Sequence, residues 1–194
     1  GLYTPMSQPS PNYFTRRENL NENETAPIAP EVGKIRLLAS TDRAAVLRLN
    51  AENRPALAAL EAADLDQLLE YDGHHIVAVD LTGELVGFLL SFPRESLYDD
   101  SEINELRQRV REPFYYICQV AIASTHRGRR IGRTFYDALA GVALARGAHL
   151  LCCDVNLAPP NPASLAFHDH LGFERIGTGT ASNGFLIAFL TKRL

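Results

Sequence analysis

The hydrophobic pattern divides the chain into a polar beginning and a long region of alternating strand-like and helix-like runs. Residues 1–31 carry five of the eleven prolines, several Asn and Glu residues, and few periodic apolar positions. This composition predicts a flexible N-terminal arm, in which residues 1–5 are either a vector-derived remnant or a processed start. Residues 32–194 are expected to form a single domain, because that length supports one well-buried core but not two ordinary domains.

Short runs of β-branched, aromatic and other apolar residues predict the strands of a sheet. They fall at residues 34–38, 75–80, 84–92, 114–123, 149–155, 174–178 and 185–190. The second and third runs are separated only by Leu81, Thr82 and Gly83, which predicts a hairpin.

Apolar residues at helical spacing predict the helices between these strands. In the segment 131–146 four apolar residues share one helical face, namely Ile131, Phe135, Leu139 and Val142. Gly147 is expected to close this helix as its C′ residue. Further helices are predicted from an N-cap at residues 40–42 through residue 50, and at 64–71, 102–111 and 163–171. The order of the elements predicts a mixed α/β chain rather than a regular βαβ repeat.

Composition narrows the classes of partner. The formal net charge is −4 and the pI is about 5.9, so no nucleic acid or membrane partner is expected. Neither a run of 18 apolar residues nor a signal-peptide pattern is present. The three cysteines, Cys118, Cys152 and Cys153, do not form a disulfide framework, which favours a reducing, cytoplasmic setting.

The segment 126–134 (HRGRRIGRT) lies between a predicted buried strand and an amphipathic helix. Four arginines in seven positions stand out on an acidic chain. An arginine run alone is more often a solvated basic surface, but a strand, a glycine-containing turn and a helix N-terminus together are typical of a phosphate site. Only three residues separate Gly128 from Gly132, and Arg133 replaces the required lysine, so the segment is not a Walker A loop. The dinucleotide motif GxGxxG is also absent.

Residues 127–132 (RGRRIG) resemble the acetyl-CoA signature Gln/Arg-x-x-Gly-x-Gly/Ala of the GNAT superfamily of N-acetyltransferases, with Arg130 in place of the first glycine. Residues 161–173 (NPASLAFHDHLGF) resemble a second hallmark of that family, Asn-x-x-Ala/Ser-x-x-Phe/Leu-Tyr-x-x-x-Gly-Phe. One helix and one strand separate the two motifs, as the family's fold requires. The resemblance covers about residues 34–194, and residues 155–162 are similar to an uncharacterised bacterial subgroup.

The resemblance implies a central, mostly antiparallel twisted sheet of six or seven strands flanked by helices, with acetyl-CoA bound as co-substrate. Backbone groups of Val120 and Ile122 would bond the pantetheine amides, the loop amides would hold the pyrophosphate, and residues from 161 onward would flank the thiol end. The implied cofactor-binding residues are Val120, Ile122, Arg127, Gly128, Arg129, Arg130, Ile131, Gly132, Arg133, Thr134, Asn161, Ser164 and Phe167.

The implied reaction is direct attack of an amine on the thioester, which needs a proton acceptor, an oxyanion donor and a proton for the thiolate. His168 replaces the tyrosine that protonates the thiolate in the family pattern. It is either that acid or a solvated histidine, with Tyr115, Tyr116 and Tyr136 as substitutes.

Asp154, the one carboxylate in an apolar strand, is either the base or a hydrogen-bonding anchor for the adjacent loop. Tyr116 falls where some family members place a glutamate base. A metal site is not expected, because His168 and His170 face apart on a helix.

The sequence therefore predicts an enzyme that transfers the acetyl group of acetyl-CoA to a primary amine of a small molecule or a peptide. The alternative is a GNAT-fold acyl-CoA binder that acts as a sensor or scaffold without turnover. The acidic segment 93–113 favours a cationic acceptor, although a solvated loop has the same composition. The family resemblance is also compatible with a homodimer.

Overall fold

The computed structural model describes residues 32–194, so the predicted arm of residues 1–31 lies outside the described residues. Seven strands are present, β1 Val32–Leu37, β2 Ile76–Asp80, β3 Leu85–Pro93, β4 Phe114–Ile122, β5 Leu150–Ala158, β6 Glu174–Thr180 and β7 Leu186–Arg193. Five helices join them, α1 Arg43–Glu52, α2 Ala62–Leu69, α3 Ser101–Arg109, α4 Ile131–Ala145 and α5 Pro162–His170. Short 3₁₀ turns at Ser40–Asp42 and Ser124–His126 precede α1 and α4.

The strands form one sheet in the order β1-β2-β3-β4-β5-β7-β6. Every neighbouring pair in it is antiparallel except β4 and β5, which run parallel. This confirms the predicted mixed α/β class with a mostly antiparallel sheet. The connection from β4 to β5 passes through α4, as a parallel pair requires a crossover.

The sheet carries a hydrophobic core on each face. One core joins α1, α2 and α3 to the sheet and contains Leu49, Leu65 and Leu106. The other joins α4 and the end of α5 to the opposite face and contains Phe135 and Leu171. Because both faces are covered, β3 is buried along its whole length, which explains its continuous apolar sequence.

The parallel pairing of β4 and β5 is short. It runs from Phe114 opposite Leu150 to Ile117 opposite Cys153, and there it stops, although both strands continue. A bulge in β4 begins at the next residue, because Leu90 pairs with Gln119 while Ser91 pairs with Ile117, which leaves Cys118 as the extra residue. Beyond this point β5 stays bonded only to β7, and β4 only to β3. A gap therefore opens in the middle of the sheet.

A buried amide network holds the connection between α1 and α2 over this gap. The side chain of Asn50, fully buried in α1, donates to the Ala58 carbonyl and the Gln119 side chain at 2.9 Å each and accepts from the Leu60 backbone N–H at 3.0 Å. The Gln119 amide donates to the same Ala58 carbonyl. Because Gln119 belongs to the bulge of β4, the same hydrogen bonds hold both the bulge and the connection between α1 and α2.

Most element boundaries fall within two or three residues of the predicted ones, and Gly147 is confirmed as the C′ residue of α4 with φ +80°. The start of α1 differs. Residues 40–42 form a 3₁₀ turn, and the Asp42 carboxylate accepts from the Ala39 N–H and pairs with Arg36 instead of capping α1. Strand β5 is three residues longer than predicted at its end, because Asn156 and Ala158 still pair with β7.

Replacing Asn50 with alanine is expected to lower the free energy of unfolding by about 3 kcal/mol, because the Leu60 N–H and the Gln119 amide lose buried partners. Urea denaturation measures the change. The exposed amide variant Gln108→Ala on α3 is the control and should change stability by less than about 0.5 kcal/mol. Equal stabilities for the two variants would contradict the assigned network.

Candidate active site

A cavity of about 1030 Å³ occupies the gap between β4 and β5. The connection between α1 and α2 borders it on one side of the sheet, and the first turn of α4 together with α5 borders it on the other. The start of α3 and the turn between β6 and β7 close one end. A ligand can therefore pass through the plane of the sheet between two faces that are otherwise packed.

The edge of β4 that faces this gap carries backbone groups directed away from β3. Ala123 donates its N–H to the Val86 carbonyl at 2.8 Å, so these two residues form a hydrogen-bonded pair. In an antiparallel ladder such pairs alternate with non-bonded pairs, so Ile122 opposite Gly87 belongs to a non-bonded pair. The same holds for Val120, two residues earlier. Both predicted backbone positions thus face the space that β5 has left.

The loop that follows β4 leads into the N-terminus of α4 at the same cavity. Gly128 has φ +76°, and Arg130, the N-cap of α4, has φ 62° and ψ 15°. Arg130 is the one non-glycine residue with positive φ among residues 32–194. That backbone geometry explains why glycine occupies this place in the family signature, since a side chain in the left-handed region costs about 1–2 kcal/mol. With arginine in place of the signature glycine, the turn keeps its conformation but its backbone is strained at residue 130.

The first turn of α4 has no acidic residue, and its N–H groups have no partner inside the helix. Arg127, Arg130 and Arg133 line the cavity around it. A positive helix end and three guanidinium groups make this part of the cavity suited to a polyanion such as a pyrophosphate. Arg127 also donates to the Asn53 side chain at 2.7 Å, which ties the loop to the connection between α1 and α2.

The two sequence motifs meet at Gly132. A Cβ on this residue would lie 3.0 Å from Cζ of Phe167 on α5, so glycine lets the α4 N-terminus approach that ring closely. The Asn161 side chain caps α5 by accepting from the Ser164 N–H at 3.2 Å. Both motifs therefore border one cavity.

His168 follows Phe167 on α5 and is buried, with 3% of its surface exposed. Its Nδ1 is 2.7 Å from the Ser164 carbonyl oxygen, and its Nε2 is 2.6 Å from Oη of Tyr136 on α4. The rings of Phe167 and Phe173 meet it edge to face. Burial lowers the pKa of His168, which favours the neutral imidazole.

Asp154 and Tyr116 form a second pair at the point where β4 and β5 separate. The Tyr116 hydroxyl donates to Oδ1 of Asp154 at 2.7 Å. Burial raises the pKa of Asp154 to about 7, and the nearby carboxylates of Glu102 and Asp100 act in the same direction. The carboxyl group can therefore exchange a proton near neutral pH.

The end of the cavity near Asp154 is acidic. Asp99, Asp100 and Glu102, from the start of α3, line it. Asp100 caps α3 and accepts from the Tyr98 hydroxyl at 2.6 Å, and Glu102 accepts from the backbone and side chain of Ser182 in the turn between β6 and β7. These carboxylates thus also hold the walls of the cavity in place.

Most residues predicted from the sequence line this cavity. The catalytic candidates Tyr116, Asp154 and His168 do so, and so do all predicted cofactor residues other than Arg129 and Thr134. The Thr134 hydroxyl instead donates to the Arg130 carbonyl. In the described part of the chain no cluster of three or more His, Cys, Asp or Glu side chains is arranged to hold a metal ion. Among the same residues no helix is long and apolar enough to span a bilayer.

Sequence reasoning missed Asn50 and Gln119, which hold the connection between α1 and α2 beside the cavity. Gln119 gave a signal, because it is the one amide in the apolar run of β4. All three cysteines are free thiols, and burial raises their pKa values, so they stay protonated. That is unfavourable for a covalent acyl-enzyme route, which needs a thiolate.

The strain at Arg130 is testable with two substitutions that both remove the guanidinium group. Arg130→Gly is expected to be more stable than Arg130→Ala by about 1 kcal/mol, because only alanine keeps a Cβ in the left-handed conformation. At Arg133, inside α4, the order should reverse, with alanine more stable than glycine by about 1 kcal/mol. Urea denaturation without ligand measures both differences. The same order at both positions would contradict the assigned geometry.

Comparisons with solved structures show that this fold is shared with known acetyltransferases. Similar folds include the ribosomal-protein-alanine N-acetyltransferase of Brucella melitensis, with 26% identity, a TM-score of 0.61, and coverage of 83% of this chain and 99% of that one. NAA60 of Arabidopsis thaliana in complex with acetyl-CoA has 14% identity and a TM-score of 0.64, covering 83% and 98%. The phosphinothricin acetyltransferase of Sinorhizobium meliloti in complex with acetyl-CoA has 18% identity and a TM-score of 0.62, covering 83% and 88%.

Comparison with curated protein sequences gives no significant match. The model of the acetyltransferase (GNAT) family matches residues 43–173, more than half of the chain. This range contains the turn of residues 127–132, the strands β4 and β5 with the gap between them, and the second motif. The chain therefore belongs to the acetyltransferase (GNAT) family, as its sequence motifs predicted.

Proposed function

We propose that the protein is an N-acetyltransferase that transfers the acetyl group of acetyl-CoA directly to a primary amine of a small molecule or a peptide. One observation carries the proposal. The unpaired edge of β4 runs from a positively charged helix N-terminus to a partly buried carboxyl group with a pKa near 7, all within one cavity. An extended amide-containing cofactor with a phosphate group at one end matches that sequence of features.

The cofactor would lie along the gap. Its pyrophosphate would contact the N–H groups at the start of α4 and the arginines around them. The pantetheine amides would bond Val120 and Ile122 as an added strand, since these backbone groups face away from β3. The thioester would then reach the point where β4 and β5 meet, with Asn161, Ser164 and Phe167 along its other side.

Three groups would serve the chemistry at that point. Asp154 accepts a proton from the acceptor's ammonium group, because a carboxyl group with a pKa near 7 is about half ionised at neutral pH. Tyr116 holds this carboxyl group in place. A backbone N–H of the unpaired β4 edge, near Ile122, donates to the developing oxyanion.

The amine acceptor would enter at the acidic end of the cavity. Asp99, Asp100 and Glu102 line it, whereas Glu95 and Glu105 of the same segment do not. Carboxylates there favour an ammonium group electrostatically. The similar structures include one enzyme named for a ribosomal-protein alanine and one named for phosphinothricin, so the fold is compatible with either a peptide or a small molecule.

We also propose a reducing, cytoplasmic setting, which the three free thiols support. The homodimer and the bacterial subgroup stay predictions. A sensor that binds acetyl-CoA without turnover is the alternative function, and the replacement of a signature glycine by Arg130 is the observation that favours it.

Acetyl-CoA is expected to raise the melting temperature, whereas ATP at the same concentration should not. At a hundred times its dissociation constant, a ligand that binds only the folded state adds about 2.7 kcal/mol of stability. Differential scanning fluorimetry measures the shift. A larger shift with ATP would contradict the assignment of the cofactor.

A thiol-release assay with a panel of primary amines separates the proposed enzyme from the alternative sensor, because a sensor would bind acetyl-CoA and release no CoA with any amine.

Asp154→Asn is expected to lower kcat by about 10²–10⁴-fold, the usual contribution of a general base. In the wild type, kcat/KM should rise with pH up to about 7 and then level off, because the raised pKa keeps Asp154 protonated and inactive as a base at lower pH. The variant should lose this rise. Asp169→Asn, which neutralises an exposed carboxylate on α5, is the matched control and should keep both rate and profile. An unchanged profile in Asp154→Asn would exclude Asp154 as the base.

A further inference from the structure

The hydrogen bonds of His168 fix which of its nitrogens carries the proton. A carbonyl oxygen can only accept, so the 2.7 Å contact with Ser164 requires a hydrogen on Nδ1. In the neutral ring Nε2 is then an acceptor, and the 2.6 Å contact with Tyr136 requires the tyrosine hydroxyl to donate. The Ser164 carbonyl, the His168 imidazole and the Tyr136 hydroxyl therefore form a continuous hydrogen-bonded series.

This hydrogen-bonded series resembles a catalytic arrangement in which an oriented histidine takes a proton from a hydroxyl group. The Ser164 carbonyl holds the imidazole and would stabilise a positive charge on it, as a carboxylate does in the Ser-His-Asp arrangement. Tyr136 keeps oxygen lone pairs after donating its hydrogen. All three residues line the cavity, and the rings of Phe167 and Phe173 pack on His168.

Two of the other tyrosines that line the cavity have different hydroxyl partners. Tyr98 donates to Asp100, and Tyr116 donates to Asp154. Of these three cavity tyrosines, Tyr136 is the one whose hydroxyl bonds to a ring nitrogen that can take up a proton and return it. It also places a tyrosine hydroxyl 2.6 Å from the side chain that replaces the signature tyrosine of the second motif.

We infer that Tyr136 is a catalytic residue that carries a proton between the reacting nitrogen and sulfur atoms, and that His168 is a positioning residue that stores this proton. The inference rests on the proposed acetyl transfer. The amine nitrogen bonds to the thioester carbon, and the carbon–sulfur bond then breaks with its electron pair on sulfur. The nitrogen gives its surplus proton to Tyr136 Oη while the tyrosine's own proton moves to Nε2 of His168. The transfer then reverses, and the thiolate receives a proton from Tyr136.

At the end of this cycle both side chains are back in their starting states, the amide has lost one proton, and CoA has gained one as its thiol. The role of Asp154 is separate, because it removes the earlier proton that converts the ammonium group to the attacking amine. His168, which the sequence leaves as either the acid or a solvated histidine, acts in this scheme through Tyr136.

Tyr136→Phe is the direct test, with acetyl-CoA and an accepted amine as substrates. It should lower kcat about 100-fold, within the usual range for proton transfer by a side chain, and leave the KM for acetyl-CoA within about twofold. His168→Gln should have the same effect. The double variant should show no further loss, because residues that act as one unit are not additive. The control is Tyr115→Phe, which should keep kcat. Tyr115 was a substitute for the acid in the sequence analysis, but it does not line the cavity, and its hydroxyl accepts from Arg146 instead.

An active wild type whose kcat is unchanged by Tyr136→Phe would overturn the relay, and so would additive losses in the double variant. Nitrogen-15 NMR of the imidazole rings in the wild type bound to acetyl-CoA gives a second test that needs no turnover. His168 should show a protonated Nδ1 and an unprotonated Nε2, and the opposite tautomer would overturn the relay. A wild type that releases no CoA with any amine would instead refute the proposed acetyl transfer.

Discussion

The separation of β4 from β5 is the constraint on which the rest of the site depends. Four residue pairs hold the two strands together, from Phe114 opposite Leu150 to Ile117 opposite Cys153. The extra residue Cys118 then changes the direction of the backbone groups of β4. Beyond it β4 still pairs with β3, but it forms no further pairs with β5. A sheet with an unpaired edge in its interior must satisfy those backbone groups in some other way. An extended, amide-containing cofactor offers the partners that β5 withdraws.

The elements around the gap are held by hydrogen bonds that cross from one element to another. Asn50 and Gln119 fix the connection between α1 and α2 to the bulge of β4. Glu102 joins α3 to the turn between β6 and β7 through Ser182. Arg127 joins the turn that precedes α4 to Asn53. Of these bonds, only the one between Asn50 and Gln119 is fully buried. A buried polar network is costly when incomplete and rigid when complete, which suits a site whose groups must keep fixed positions.

Arg130 shows that the site tolerates a local cost. A non-glycine residue in the left-handed region destabilises the turn, yet the same residue adds a positive charge where the phosphates are expected. The two tyrosine pairs, Tyr116 with Asp154 and Tyr136 with His168, lie on different elements that border the same cavity. Each couples a phenol to a titratable group, which is the buried His168 in one pair and the partly buried Asp154 in the other. The proposed reaction needs two proton transfers, and the structure has two such pairs.

The sequence by itself determined the elements, the fold class and the family. Apolar periodicity located every helix and strand within a few residues, because one-sided burial leaves a regular pattern along the chain. The two motifs predicted a phosphate turn at residues 127–132 and a second contact near residue 167, since turn geometry and helix capping are local properties. The arginine at position 130 was visible as a departure from the signature, but its positive φ was not.

Only the tertiary structure decided which side chains meet. Tyr116 and Asp154 are 38 positions apart, and Tyr136 and His168 are 32 apart, so no local pattern could pair them. The same holds for Asn50 and Gln119, whose isolated polar character in apolar surroundings was a signal without a partner. The tautomer of His168 follows from one distance within α5 and one distance from α5 to α4. Sequence patterns record how each segment is buried, whereas hydrogen bonds between distant segments depend on how the sheet and its two helical layers pack.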